Sequence, residues 1–297
     1  MFTRTQLHGA VTPPATRSLI EHRHALHQLG WNGDAFVDLN GQAFDPTAYS
    51  RFKYGNGEAT RHYARQLADV FLSELGDWLA DADRLPVLSG SAYKVMPTAA
   101  QYLVQFFAER LERKSGPLDR LHIYRQEVPE KDFSHLPYER RIKALAGNHY
   151  RLTETWRLKG RRLIVLDDIR VTGAHEANLT RLLNASKVSE VCFLYIAQAE
   201  PDSFATTPEL EHRLNQYALP GLDALRELWL APDFCLNARI AGLLMRWPNL
   251  DELEAFFRTL GYAELRKLQK QMEAEGFHKI ASFDANWDRL RKALNLS

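Results

Sequence analysis

Short apolar runs recur through the middle of the chain: Leu85-Pro86-Val87-Leu88, Leu121-His122-Ile123-Tyr124, Tyr150 to Trp156, Leu163 to Leu166 and Val191 to Ile196. Runs of this length, rich in Leu and β-branched residues, predict strands, and the unalternated ones suit burial on both faces of a parallel sheet. Helical spacing fills the intervals. After Tyr54-Gly55-Asn56-Gly57, residues Tyr63, Leu67, Val70, Phe71, Leu75 and Trp78 recur every three or four positions. Pro97 suits the first turn of a second helix with Tyr102, Val104, Phe106, Phe107 and Leu111 on its core face. A third carries Ala177, Leu179, Leu182 and Leu183. Strands alternating with helices predict an α/β fold with a doubly wound parallel sheet. Before it, residues 1–50 read as an irregular N-terminal segment with a helical stretch near Thr16 to Leu29 and a turn at Asn32-Gly33. Beyond about residue 200 helical periods dominate: Leu222 to Leu230, Cys235 to Arg246, Leu250 to Leu260, Ala263 to Glu275 and Asn286 to Leu294. The expected organisation is an N-terminal segment over 1–50, a core over 51–200 and an α-helical C-terminal appendage over 201–297.

Composition narrows the partners. The 297 residues include 38 basic and 37 acidic side chains, a net charge of +1. No global field draws the chain to a nucleic acid polymer or a membrane surface, so an anion site must be local. The only cysteines, Cys192 and Cys235, have neither CxxC nor zinc-ligand spacing, which argues against a disulfide framework. The first residues lack the apolar stretch of a secretion signal, and the longest apolar runs are too short to span a bilayer. A cytoplasmic location is expected.

The most informative stretch is Leu163-Ile164-Val165-Leu166-Asp167-Asp168-Ile169-Arg170-Val171-Thr172-Gly173-Ala174-His175. A buried strand here runs into two carboxylates at its carboxyl end, the place where open α/β sheets keep their ligands. Asp167 and Asp168 suit a vicinal diol or a hydrated divalent cation. Val171, Thr172, Gly173, Ala174 and His175, at the start of a helix, offer N–H groups and a hydroxyl to an anion. A phosphate cradle beside a diol-binding acid pair points to a phosphorylated sugar. Other nucleotide motifs are missing. There is no Walker A Gly-Lys-Ser/Thr, Gly55-Asn56-Gly57 follows no apolar strand, and His175-Glu176 fails the HExxH pattern at Leu179.

This stretch resembles the signature of the type I phosphoribosyltransferases, which bind 5-phosphoribosyl 1-diphosphate. Arg170 stands where an aliphatic residue is usual, and His175 where Thr or Ser is usual. The resemblance spans roughly residues 50 to 200. It implies that Asp167 and Asp168 are catalytic, holding the ribose hydroxyls and Mg2+, and that Val171 to His175 bind the 5′-phosphate. Ser89, Gly90 and Ser91 occupy the place of the diphosphate loop, without the usual Arg-Gly-Gly or Lys-Gly-Gly but with Tyr93-Lys94 close behind. The stretch Tyr124 to His135 resembles the mobile catalytic loop of orotate-type members. Arg125 and Lys131 would there act on departing diphosphate and His135 on substrate. Val171 precedes the Thr-Gly where members accepting 6-oxopurines carry an acid, which makes that substrate group less expected. The nucleobase hood would come from the N-terminal segment, with Arg51-Phe52-Lys53-Tyr54, and from the helical C-terminal region; Phe52 and Tyr54 are candidates for stacking on a base.

The expected activity is transfer of the 5-phosphoribosyl group to a nucleobase-like acceptor with release of diphosphate, by a homodimer. Nucleoside monophosphate is the expected product. A regulator that senses the sugar diphosphate or a nucleotide without transfer is the alternative, and so is the reverse release of a base from a nucleotide.

Overall fold

The computed structural model describes residues 19–126, 150–207 and 209–296. Its centre is a five-stranded sheet of β1 (Ile20–Trp31), β2 (Phe36–Asp38), β3 (Val87–Gly90), β6 (Arg162–Arg170) and β7 (Glu190–Ala199), in the order β2-β1-β7-β6-β3. All neighbours are parallel except the β1–β2 hairpin at one edge. Two further strands, β4 (Ile123–Arg125) and β5 (Tyr150–Leu152), form a small antiparallel ladder of their own. Helices α2 (Gly57–Leu75) and α3 (Ala99–Ser115) cover one face of the sheet, and α4 (Ala174–Ala185) the other. The doubly wound α/β architecture is the one expected from the alternation of runs.

The strand pleat assigns the two faces. Leu88, Ile164, Leu166, Cys192, Leu194 and Ile196 join Leu67, Phe71, Leu103 and Phe107 of α2 and α3 in one core. Val87, Leu163, Val165, Val191, Phe193 and Tyr195 join Leu179 and Leu183 of α4 in a second. Both faces of β6 and β7 are therefore apolar, which is why their sequences do not alternate.

The helical stretch expected near Thr16 to Leu29 is a strand over its described part. β1 pairs with β7 from Ile20↔Glu190 to Leu29↔Ala199. Its Glu, Arg, Ala and Leu residues favour helix, but a long parallel ladder outweighs that modest preference. The third expected strand is shorter than Tyr150 to Trp156. The chain leaves it at Leu152, Glu154 takes a left-handed conformation (φ 54) and a 3-10 turn follows over Thr155–Leu158.

Residues up to 50, expected to be irregular, also carry the start of α1 (Pro46–Lys53). Asp45 caps that helix by accepting from the amides of Thr47 and Ala48, and Pro46 opens it. Gly55 (φ 85) then turns the chain into α2; a Cβ there would stand 2.5 Å from the Cys235 carbonyl oxygen.

After β7 the chain is helical: α5 (Pro201–Thr206), α6 (Leu210–Gln216), α7 (Leu222–Trp229), α8 (Ala238–Met245), α9 (Leu250–Arg258), α10 (Tyr262–Glu275) and α11 (Asp284–Leu296). Phe204, Leu210 and Leu214 belong to the first core. From Leu219 onward the apolar residues form a third core of their own, which also takes in Tyr54 and Met96. Among the described residues no helix is long and apolar enough to cross a membrane.

Candidate active site

β6 carries the acid pair at its carboxyl end, with Asp167 opposite Tyr195 of β7. The carboxylates do different things. Asp168 accepts the amide of Ile169 at 2.7 Å through Oδ1 and pairs through Oδ2 with the ammonium of Lys53, the last residue of α1. Asp167 accepts the amide of Asp168 at 2.9 Å and a hydrogen bond from the Ser91 hydroxyl, and its Oδ2 lies 3.8 Å from His175 Nε2. The Asp167 and Asp168 side chains are 15% and 18% exposed and Lys53 only 5%. Burial and the neighbouring Asp168 charge raise the Asp167 carboxyl to about 7. Burial also works against charge on Asp168, but the Lys53 ammonium, with help from Arg239, outweighs it and holds that carboxyl below its ordinary value. Burial in turn pulls the Lys53 ammonium down, opposed by Asp168. The result is one firmly ionised carboxylate beside one poised near neutrality.

β6 hands over to α4 through the expected phosphate loop. Gly173 is left-handed (φ 69, ψ 0) and forms the N-cap of α4, and the Thr172 hydroxyl accepts from the Ala174 amide at 3.2 Å. Asp167, Arg170, Val171, Thr172, Gly173 and His175 line a cleft of about 30 Å³ here. His175 is held from the far side, with Nδ1 2.7 Å from the Tyr150 hydroxyl and the two rings edge to face at 5.0 Å. The imidazole thus bridges β5 and the acid pair.

The expected diphosphate loop lies on the adjacent strand, Gly90 of β3 pairing with Leu166 of β6. Only part of it faces the acids. Ser91 reaches Asp167 and stands 2.9 Å from the Thr98 hydroxyl. Ser89 is 1% exposed and its hydroxyl donates to the Leu121 carbonyl at 2.9 Å, so that hydroxyl is committed to the fold. Gly90 is closely packed, since a Cβ there would stand 3.2 Å from the Ala100 backbone. Lys94 is also occupied, donating to the Glu275 carbonyl at 2.7 Å. Arg125, at the end of β4, behaves differently. Among the described residues its buried Nε meets no hydrogen-bond partner, and burial lowers its pKa, opposed by Tyr150 and Glu275. A guanidinium left this way suits an incoming anion. Lys131 and His135 lie outside the described residues.

The structure brings Asp167, Asp168, Ser91 and the Val171–His175 loop to one end of the sheet, with Arg125 linked to them through Tyr150, its partner across β4 and β5 and the hydrogen-bond partner of His175. It removes Phe52 and Tyr54 as stacking candidates, because both rings are buried in cores. Lys53, Tyr150 and Arg239 join the site without having been singled out as site residues. Lys53 sits between the apolar residues Phe52 and Tyr54, and nothing in its spacing pairs it with a carboxylate 115 positions away.

The model of the PRTase ComF-like family matches residues 20–290. No curated protein matches the sequence. Among solved structures, the hypoxanthine phosphoribosyltransferase of Trypanosoma cruzi with IMP is similar at 11% identity and a TM-score of 0.35, covering 50% of this chain and 76% of that one. The L. donovani hypoxanthine-guanine phosphoribosyltransferase gives 12% and 0.32, over 48% and 68%. A Staphylococcus aureus hypoxanthine phosphoribosyltransferase gives 12% and 0.31, over 50% and 77%.

Proposed function

The chain belongs to the PRTase ComF-like family, and from that premise we propose that it transfers a 5-phosphoribosyl group from 5-phosphoribosyl 1-diphosphate to a nucleobase-like acceptor. The observation that carries the reading is the convergence of the acid pair, the Gly173 loop and the Arg125 guanidinium, whose buried Nε meets no hydrogen-bond partner among the described residues.

Breaking the bond at the anomeric carbon leaves positive charge on the ribose and negative charge on departing diphosphate. In this reading Asp168 holds the ribose hydroxyls as an ionised acceptor and Asp167 assists it. The Thr172 to His175 turn receives the 5′-phosphate at the N-terminus of α4, and the Tyr150 hydroxyl fixes the imidazole beside it. Arg125 and Ser91 face the diphosphate and stabilise its growing charge. Lys131 and His135 are assigned to the same group on sequence resemblance alone.

Two adjacent carboxylates supply hard oxygen donors. Among the described residues no group of three or more His, Cys, Asp or Glu gathers into a metal cage. That donor set fits Mg2+, which typically keeps several waters and binds through one or two carboxylates plus substrate phosphate. Asp167 and Asp168 would hold it, and its chemistry is neutralisation of the diphosphate.

The test is calorimetry of the sugar diphosphate with and without Mg2+, joined to an assay of diphosphate release across nucleobases. Wild type is expected to bind and to release diphosphate with at least one base. Asp168→Asn should fold normally and bind at least tenfold more weakly. Equal affinity in the variant would remove the acid pair from the site, and binding without release with any base would favour a sensor.

A further inference from the structure

Arg170 occupies a position where the resembling signature carries an aliphatic residue, and the structure shows where its charge goes. Its Nε donates to Glu176 Oε2 at 3.0 Å, while among the described residues no hydrogen-bond partner reaches its Nη atoms. The guanidinium lies against Gly173, since a Cβ built on that glycine would meet Arg170 Nη2 at 2.7 Å. It also lines the same cleft as Thr172 and His175, with its side chain 28% exposed.

Glu176 does not cancel this charge. That carboxylate is buried and already bonded to Arg23, through Nε at 2.9 Å and through Nη2, and it accepts the Tyr195 hydroxyl at 2.8 Å. One carboxylate thus serves two guanidiniums; Arg23 has a second acid, Glu21, at 3.9 Å, whereas Arg170 shares Glu176 as its sole ion-pair partner among the described residues. Glu176 fixes the plane of the Arg170 fork, so its free edge is set before any ligand arrives.

Resting on the reading of Val171 to His175 as the 5′-phosphate loop, we propose that Arg170 is a ligand of that phosphate. It would add a guanidinium to a cradle otherwise made of backbone amides, a hydroxyl and an imidazole. The chemistry favoured is a phosphate monoester dianion on a pentose. The aliphatic residue usual at this position could not supply such a contact.

The experiment compares wild type, Arg170→Leu, Arg170→Lys and Arg23→Leu by calorimetry against ribose 5-phosphate and inorganic diphosphate. Arg23 pairs with the same carboxylate, so Arg23→Leu reports any purely structural effect of disturbing Glu176. Arg170→Leu is expected to weaken ribose 5-phosphate about ten- to a hundredfold, the worth of a charge-assisted contact. Arg170→Lys should fall between the two, and Arg23→Leu should bind nearly as wild type. Diphosphate affinity should change less than threefold in all variants. Ribose 5-phosphate bound equally by wild type and Arg170→Leu overturns this inference alone, and so does an equal loss in Arg170→Leu and Arg23→Leu. Wild type that fails to bind ribose 5-phosphate overturns the reading of the loop as well.

Discussion

Gly173 is where backbone conformation and charge meet. Its φ of 69 is a region that L side chains enter at a cost of roughly 1–2 kcal/mol. A Cβ there would also press on the Arg170 guanidinium, which is the movable end of a long side chain. Gly173→Ala is therefore expected to fold, to lose about 1–2 kcal/mol in urea denaturation and to bind ribose 5-phosphate more weakly because the guanidinium is displaced. Unchanged affinity together with lowered stability would make Gly173 a helix terminus only. Single residues also mark how far the sequence could be read. Asp167, Asp168, Thr172 and Gly173 were legible because they stand in one register behind an apolar run. Lys53 was not, because its partner Asp168 is distant in sequence and only the fold brings them together. Ser89 illustrates the opposite case. As a serine at a strand end it reads as a donor to ligand, yet the chain turning at Leu121 takes its hydroxyl.

Among the elements, β6 and β7 were legible from their unalternated apolar sequences, and β1 was not. β1 owes its conformation to pairing with β7, and its polar residues are placed by neighbours rather than by periodicity. Arg23 is one of them. It reaches from β1 to Glu176 in the first turn of α4, where Arg170 of β6 and Tyr195 of β7 also converge. Glu176 thus pins the first turn of α4 to three strands. Burial opposes ionisation of this carboxyl, but hydrogen bonds from Arg23 and Tyr195 and the Arg170 charge hold its pKa below the ordinary 4.5. The unfolded chain therefore binds the proton more readily. The stabilisation is present above the ordinary value and is lost as pH falls through the depressed one. Glu176→Gln should cost about 1–3 kcal/mol at pH 7, where one buried partner of two guanidiniums disappears. It should also flatten the loss of stability on the acid side relative to wild type. Urea midpoints measured from pH 7 down to pH 3 check both, and parallel curves for the two proteins would show that Glu176 titrates alike folded and unfolded.

At the level of the whole molecule, the C-terminal helices hold segments of the candidate active site. Cys235 donates its amide to the Gly55 carbonyl at 2.8 Å, and Asn237 donates its side-chain amide to the Lys53 carbonyl at 3.2 Å. Glu275, buried at the end of α10, accepts the amides of Val95 and Met96 at 2.7 Å each. Tyr102 of α3 donates to the Leu236 carbonyl at 2.7 Å. The third apolar core includes Tyr54 and Met96, one residue beyond Lys53 and five beyond Ser91. We infer that these helices and the sheet unfold together and that damage to the helical core reaches the site. Phe257 of α9 is fully buried there, far in sequence from the acid pair, the Gly173 loop and Lys53. Phe257→Ala should cost about 3–5 kcal/mol through the cavity it leaves. It should shift the far-ultraviolet and tryptophan-fluorescence transitions by the same amount, because one cooperative unit has one midpoint. Affinity for ribose 5-phosphate plus diphosphate should fall as well, since Lys53 and Ser91 are then less firmly held. Two separated transitions, with only one moved by the substitution and ligand affinity intact, would instead make the C-terminal helices an independent appendage whose contacts with Lys53, Gly55 and Met96 add nothing to the site.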